Sequence, residues 1–235
     1  MLEFKNVSYH ADDGTEILNN INFRLSERFV AITGPNGSGK STVAKLIAGI
    51  IKPTAGQILL NGENITGLNV TERANRGISY AFQQPVRFKG LSVKDLLTMA
   101  AGKELSVKAA CSYLSMVGLC AKDYINREVN ASLSGGELKR IEIAMIVARN
   151  TELSVFDEPE AGIDLWSFNN LIDVFKKLHE NTNGTLIIIS HQERILRLAD
   201  RIVVISGGTV TADGEGPKIF PELQSPGGCK YYKKR

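Results

Sequence analysis

The chain has 235 residues, 43% of them hydrophobic and 23% charged, enough apolar material for a buried core and too mixed a charge balance for a disordered polyelectrolyte. Its net charge of +3 gathers at one end: Lys230, Lys233, Lys234 and Arg235 are four of the 28 basic residues, so the rest carries 24 basic against 25 acidic groups. A body this neutral argues against an extended nucleic-acid surface, and the strongest apolar run, 143–148, is far short of the roughly 18 residues a bilayer span needs.

Residues 2–9, 17–25 and 28–33 read as short strands, with Asp12-Asp13-Gly14 as turn chemistry between the first two. A helix follows Gly39, carrying Val43, Leu46, Ile47 and Ile50 at helical spacing, and the run Lys52-Pro53-Thr54-Ala55-Gly56 stops it. Strands at 57–60 and 77–82 flank a polar stretch. From 85 to 133 the texture changes to two helices, 91–101 and 107–117, with no strand between them: a helical insertion. Thereafter helices at 135–149, 166–180 and 194–198 alternate with strands at 153–156, 185–189 and 202–205, and Gly207-Gly208 turns the chain into a hairpin strand at 209–211. Such alternation predicts an α/β fold around a largely parallel sheet buried on both faces. The last 22 residues, rich in Gly and Pro, read as a loosely held tail.

Gly34-Pro35-Asn36-Gly37-Ser38-Gly39-Lys40-Ser41 fits the pattern G-x4-G-K-[ST], between an apolar strand and a helix. Glycines let successive N–H groups point at one anion, and the helix N-terminus adds partial positive charge. Lys40 is placed to neutralise β- and γ-phosphates, and Ser41 to offer a hydroxyl to Mg2+; Thr42 follows. This predicts a bound nucleoside triphosphate. A second helix start, Ser134-Gly135-Gly136-Glu137, has capping-box spacing. Two glycines in a first turn are costly, so they suggest close approach of another group to the backbone. Two carboxylates, Asp157 and Glu158, end the apolar strand at 153–156, and His191 follows the strand at 185–189.

Together these motifs resemble the ATP-binding cassette (ABC) ATPases over nearly the whole chain. The resemblance implies a P-loop fold with a parallel-sheet core, an antiparallel β subdomain and a helical insertion. The divisions expected are 1–84 and 134–213 for the two parts of the core, 85–133 for the helical subdomain and 214–235 for the tail. It also implies ATP and Mg2+ as ligands. Asp157 is then the metal carboxylate and Glu158 the base that polarises the attacking water. Gln83 senses the metal, His191 donates to the γ-phosphate, and Asp164 crosses to an opposite subunit. Head-to-tail homodimerisation follows from the same resemblance, with Ser134 and Gly136 of one copy contacting the γ-phosphate held by Lys40 of the other. The adenine-stacking aromatic is open between Tyr9 and a register that puts Ala11 there.

Local segments, Ala81-Phe82-Gln83-Gln84-Pro85-Val86, 157–164 and 191–196, resemble the SufC ATPases of SUF iron–sulfur cluster assembly, which implies a SufB/SufD-type scaffold as partner. The other reading is the nucleotide-binding subunit of an ABC transporter, whose helical insertion grips a membrane partner. A cassette acting on DNA or ribosomes is disfavoured by the neutral body. Three cysteines, Cys111, Cys120 and Cys229, form no CxxC pair, and the N-terminus has no basic lead into an apolar stretch. Reduced thiols and a cytoplasmic location are expected, with Cys111 and Cys120 as packing residues. Cys229 is either an incidental thiol or a contact for iron or sulfur, and the basic end either a solvated terminus or a contact with an acidic partner.

Overall fold

A computed structural model of the chain describes residues 1–84, 86–130, 132–181 and 183–224. Its elements in order are β1 (Leu2–His10), β2 (Glu16–Leu25), β3 (Phe29–Thr33), α1 (Lys40–Ala48), β4 (Ala55–Leu60), β5 (Glu63–Asn64), α2 (Val70–Asn75) and β6 (Ile78–Ala81). There follow α3 (Val93–Ala101), α4 (Val107–Met116), α5 (Ala121–Tyr124), α6 (Gly135–Arg149), β7 (Leu153–Asp157) and α7 (Leu165–Asn181). The chain then runs through β8 (Thr185–Ile189), α8 (Glu193–Leu196), β9 (Arg201–Ser206), β10 (Thr209–Glu215) and α9 (Gly216–Gln224).

Two sheets result. A six-stranded sheet has the order β10-β9-β3-β8-β7-β6, parallel except for the β9–β10 hairpin, and a four-stranded antiparallel sheet has the order β2-β1-β4-β5. Strand alternation sorts the central sheet's side chains between two cores. Phe29, Ala31, Phe156, Ile188 and Val204 pack with α3, α4, α6 and α7. Val30, Ile32, Val155, Ile187 and Val203 pack instead with α1 and the antiparallel sheet. The parallel strands are buried on both faces, as their unbroken apolar runs predict, and the expected α/β fold with antiparallel β and helical parts is present.

Four local features differ from the sequence reading. First, α1 ends at Ala48 rather than at Ile50, because Gly49 takes a left-handed conformation (φ 76°) and its N–H returns to the helix carbonyls. Second, β4 begins at Ala55, so Gly56 lies inside a strand. Its φ is 85°, and a Cβ there would stand 2.2 Å from the Asn6 carbonyl oxygen. Third, α2 occupies what reads as a polar connection; Asn69 and Glu72 form a reciprocal capping box at its start. Fourth, residues 216–224 are not a loose tail. They form α9, anchored by buried Phe220, whose ring lies under the Arg197 guanidinium at 4.9 Å. Cys111 is half-buried, whereas Cys120 is exposed at the start of α5 rather than packed. Cys229 and the basic run 230–235 lie outside the described residues.

Candidate nucleotide site

The site gathers at the C-terminal ends of β3, β6, β7 and β8, where open parallel sheets place ligands. After β3 the loop 34–39 turns sharply, with Gly34, Gly37 and Gly39 all at positive φ. Gly34 and Gly39 have no room for a side chain: a Cβ would stand 1.9 Å from the Ile205 carbonyl oxygen at the first and 2.4 Å from Leu18 Cδ2 at the second. Gly39 is also the N-cap of α1. The Lys40 Nζ donates to the carbonyls of Gly34 at 3.0 Å and Pro35 at 2.9 Å, so the ammonium lies along the loop it follows. Burial holds its pKa below the ordinary value, while Glu158 and Asp157 pull it back up. The Ser38 hydroxyl is buried with no hydrogen-bond partner. A buried hydroxyl without a partner, beside the N-terminus of a helix, suits an anionic oxygen. A cleft lined by Asn36, Gly37, Gly39, Lys40, Ser41, Thr42 and Glu158 opens here.

Two hydrogen bonds join the acidic pair to this loop and to its neighbour strand. Ser41 Oγ donates to Asp157 Oδ1 at 3.0 Å, and Gln83 Nε2 donates to Glu158 Oε2 at 2.7 Å. Asp157 closes β7 and is 3% exposed. Glu158 has left the strand with φ 45°, an uncommon conformation for a residue with a side chain, and its N–H donates to the Ile189 carbonyl at 3.0 Å. A second bond to Asp157 comes from a residue the motifs do not mark: the Tyr80 hydroxyl donates to Oδ2 at 3.0 Å. Its only sequence signal is its place on β6, three residues before Gln83.

The donors Ser41, Asp157 and Gln83 are all oxygen-bearing and hard, which fits Mg2+. Among the described residues there is no cluster of three His, Cys, Asp or Glu able to hold a metal.

His191 is exposed after β8 and lines a neighbouring cleft with Thr33, Gly34, Pro35 and Asn36. Buried Ser190 ties that strand end to the loop after β7, donating its hydroxyl to Glu160 Oε1. Burial raises the Glu160 pKa against the effect of this bond.

At the start of α6 the capping box is complete. Glu137 N–H donates to Ser134 Oγ at 3.2 Å, and Ser134 N–H donates to Glu137 Oε2 at 2.6 Å. Burial works against the Glu137 charge, but the Tyr124 hydroxyl and the Ser134 groups hold its carboxyl below the usual range. The glycines have neighbours in the same chain. A Cβ on Gly135 would stand 3.3 Å from the Gly162 carbonyl oxygen, and one on Gly136 2.4 Å from Ser167 Oγ. Close approach is therefore made by the segment 162–167. Asp164 begins α7 there, accepting from Ser167 N–H at 2.9 Å and Ser167 Oγ at 2.7 Å, and both bonds depress its pKa. Leu165 and Trp166 beside it are 71% and 80% exposed. Gln83, Gly135 and Gly162 share one further cleft.

Tyr9 is not among the residues that line the P-loop cleft. It sits half-buried on β1 opposite Leu18, packed against the core that α1 shares with the antiparallel sheet, and Thr15 and Ile17 line the cleft.

Between α1, α2, β6, α3 and α6 runs an apolar groove of about 420 Å³, lined among others by Ile50, Val70, Phe82, Val86, Met99 and Met145. Five of these are exposed large side chains: Ile50 39%, Val70 48%, Phe82 47%, Val86 49% and Met99 66%. Above it, Lys139 and Glu142 of α6 form an ion pair at 2.9 Å, and the pair holds Phe82 by both its carbonyl and its N–H. No helix among the described residues is long and apolar enough to cross a membrane.

Residues 18–161 match the family model described as ABC transporter. The chain is 40% identical over 228 residues to an uncharacterized ABC transporter ATP-binding protein of Methanocaldococcus jannaschii, covering 93% of this chain and 90% of the relative. It is 30% identical to an energy-coupling factor transporter ATP-binding protein of Clostridium perfringens, covering 88% of this chain and 76% of that one. Its fold superposes with a TM-score of 0.79 on a dimeric ATP-binding cassette bound to ADP and Pi in a post-hydrolysis state, at 26% identity over 92% of this chain and 98% of that one. The chain belongs to the ABC transporter family: it is an ATPase of the ATP-binding cassette type, using ATP with Mg2+.

Proposed function

We propose that this member of the family is the nucleotide-binding subunit of an ABC transporter, and that two copies close head-to-tail over two ATP molecules to move a membrane partner. The observation that carries the reading is the apolar groove beside Gln83. It exposes Val70, Phe82, Val86 and Met99, and exposed apolar side chains grouped in a groove mark a binding surface. Phe82, which lines it, directly precedes the glutamine bonded to Glu158. A short amphipathic segment of the partner seated there is linked through two residues to the reacting carboxylate. The names of the relatives support the same reading.

In this reading loop 34–39 and Lys40 bind the triphosphate, and Ser41, Asp157 and Gln83 hold the metal. Mg2+ supplies charge neutralisation on the phosphates and a fixed orientation of them. Glu158 exchanges its bond from Gln83 for the attacking water and accepts a proton from it. His191 donates to the γ-phosphate. Ser134 and Gly136 of the second copy cover the nucleotide from the opposite side, and Asp164 crosses between copies. Thr15 and Ile17 line the outer part of the cleft, where a base would emerge.

A second reading, a SufC-like ATPase acting on a SufB/SufD-type scaffold from the cytoplasm, is favoured by the segments 81–86, 157–164 and 191–196. Purification of the tagged protein from its native cells separates the two. A polytopic membrane protein as stoichiometric partner supports the transporter reading. A soluble partner carrying iron and acid-labile sulfide overturns it in favour of the scaffold.

A further inference from the structure

Tyr80 stands on β6 opposite Val155 of the parallel strand β7. Asp157, two residues further along β7, shares the Val155 face, which is why a side chain as long as tyrosine reaches it. The two oxygens of Asp157 are thereby divided: Oδ1 accepts from Ser41 on the P-loop side, and Oδ2 accepts from Tyr80. A carboxylate's terminal torsion is broad and roughly two-fold. Without the bond to Oδ2, only Ser41 distinguishes the two oxygens, and the group is freer to tilt.

We propose that Tyr80 is a positioning residue for metal binding: its hydroxyl pins Oδ2 of Asp157 so that Oδ1 is the oxygen presented to Ser41 and the ion. The inference rests on the reading of Asp157 as the Mg2+ carboxylate. The surroundings favour a fixed geometry over a merely filled space. Asp157 is 3% exposed, so bulk water has little access to replace a missing donor. The Tyr80 ring is itself held edge-on against Phe82, with centroids 4.9 Å apart and planes at 88°. The phenol thus reaches from the groove, which it also lines, to the carboxylate.

Tyr80→Phe removes the hydroxyl and keeps the ring. Mn2+ serves as the probe, its free signal followed by electron paramagnetic resonance in the presence of a non-hydrolysable ATP analogue. Binding of a fluorescent ATP analogue in EDTA is measured alongside, and Asp157→Asn is carried as a reference. Loss of a group that orients a metal ligand weakens metal affinity about tenfold or more. The expected result is Mn2+ binding about tenfold weaker in Tyr80→Phe, with metal-free nucleotide binding unchanged and Asp157→Asn weaker still. Wild-type Mn2+ affinity in Tyr80→Phe, with Asp157→Asn impaired, overturns the role of Tyr80 alone. Wild-type Mn2+ affinity in both variants overturns the assignment of Asp157 beneath it. If Tyr80→Phe loses metal-free nucleotide binding as well, the effect is global and the positioning role falls.

Discussion

Gln83 donates its side-chain amide to Glu158 at 2.7 Å, so the residue leaving β6 and the carboxylate leaving β7 are joined across the ends of adjacent strands. Replacing Glu158 with Gln keeps the size of the side chain and removes its basicity. Phosphate release should fall by about two to four orders of magnitude, the usual contribution of a general base, while ATP still binds. Size-exclusion chromatography of Glu158→Gln with MgATP should show a persistent dimer. Retained turnover in a protein that stays monomeric would reject the assigned role.

Arg73 is fully buried on α2 and donates to the carbonyls of Leu46 and Ile47 at the end of α1, and to those of Thr66 and Leu68. Burial lowers its pKa to about 10, so the guanidinium stays charged at neutral pH. A cation at the C-terminus of α1 complements a phosphate at its N-terminus. Arg73→Met strips donors from several carbonyls at once and should cost about 3 kcal/mol of folding stability. Urea midpoints measure this, and a loss below about 1 kcal/mol would show that the carbonyls find other partners.

At Gly136 the missing side chain is accounted for by Ser167, whose Oγ and Cβ would stand 2.4 and 2.7 Å from an added Cβ. Gly136→Ala should therefore destabilise the protein by about 1–3 kcal/mol through overpacking. Ser167→Gly in the same chain should recover part of that loss, which a double-mutant cycle reads as coupling. If the two changes are simply additive, packing is not the reason for the glycine.

Glu160 keeps its proton to higher pH in the folded chain than in the unfolded one, because burial outweighs its bond from Ser190; Glu158 and His191 are the charges that face it. The folded state then binds more protons than the unfolded state as pH climbs past the ordinary carboxylate value. Stability must fall across that window and level off above the raised pKa. Thermal melts of Glu160→Gln between pH 4 and 8, on the order of the range over which carboxylates titrate, should show a flatter decline than the wild type. An unchanged slope would mean that Glu160 does not titrate differently in the two states.

Much of this arrangement was legible in the residues. The P-loop, both carboxylates and the capped start of α6 sit at element ends because their local chemistry requires it: glycine where φ is positive, a Ser/Glu pair where N–H groups lack partners. What the residues left hidden depends on pairing across distance. Nothing near Tyr80 announces that β6 will lie beside β7 in the register that brings its hydroxyl to Asp157. Arg73 reads as one more surface cation until α2 packs on α1. Gly135 and Gly136 suggest the close approach of another group, but not that Gly162 and Ser167 of the same chain lie against them. Phe220 looked like part of a loose tail because its partner, Arg197, is recruited from another segment.

Trp166, standing in solvent beside Asp164, is the sole tryptophan of the sequence. The ultraviolet emission excited at the indole band of the unlabelled protein therefore originates at one point, next to the turn that crosses between copies in the dimer proposed above. Nucleotide-driven closure becomes an optical event with a built-in reporter, and its kinetics can be followed by stopped flow without attaching a dye.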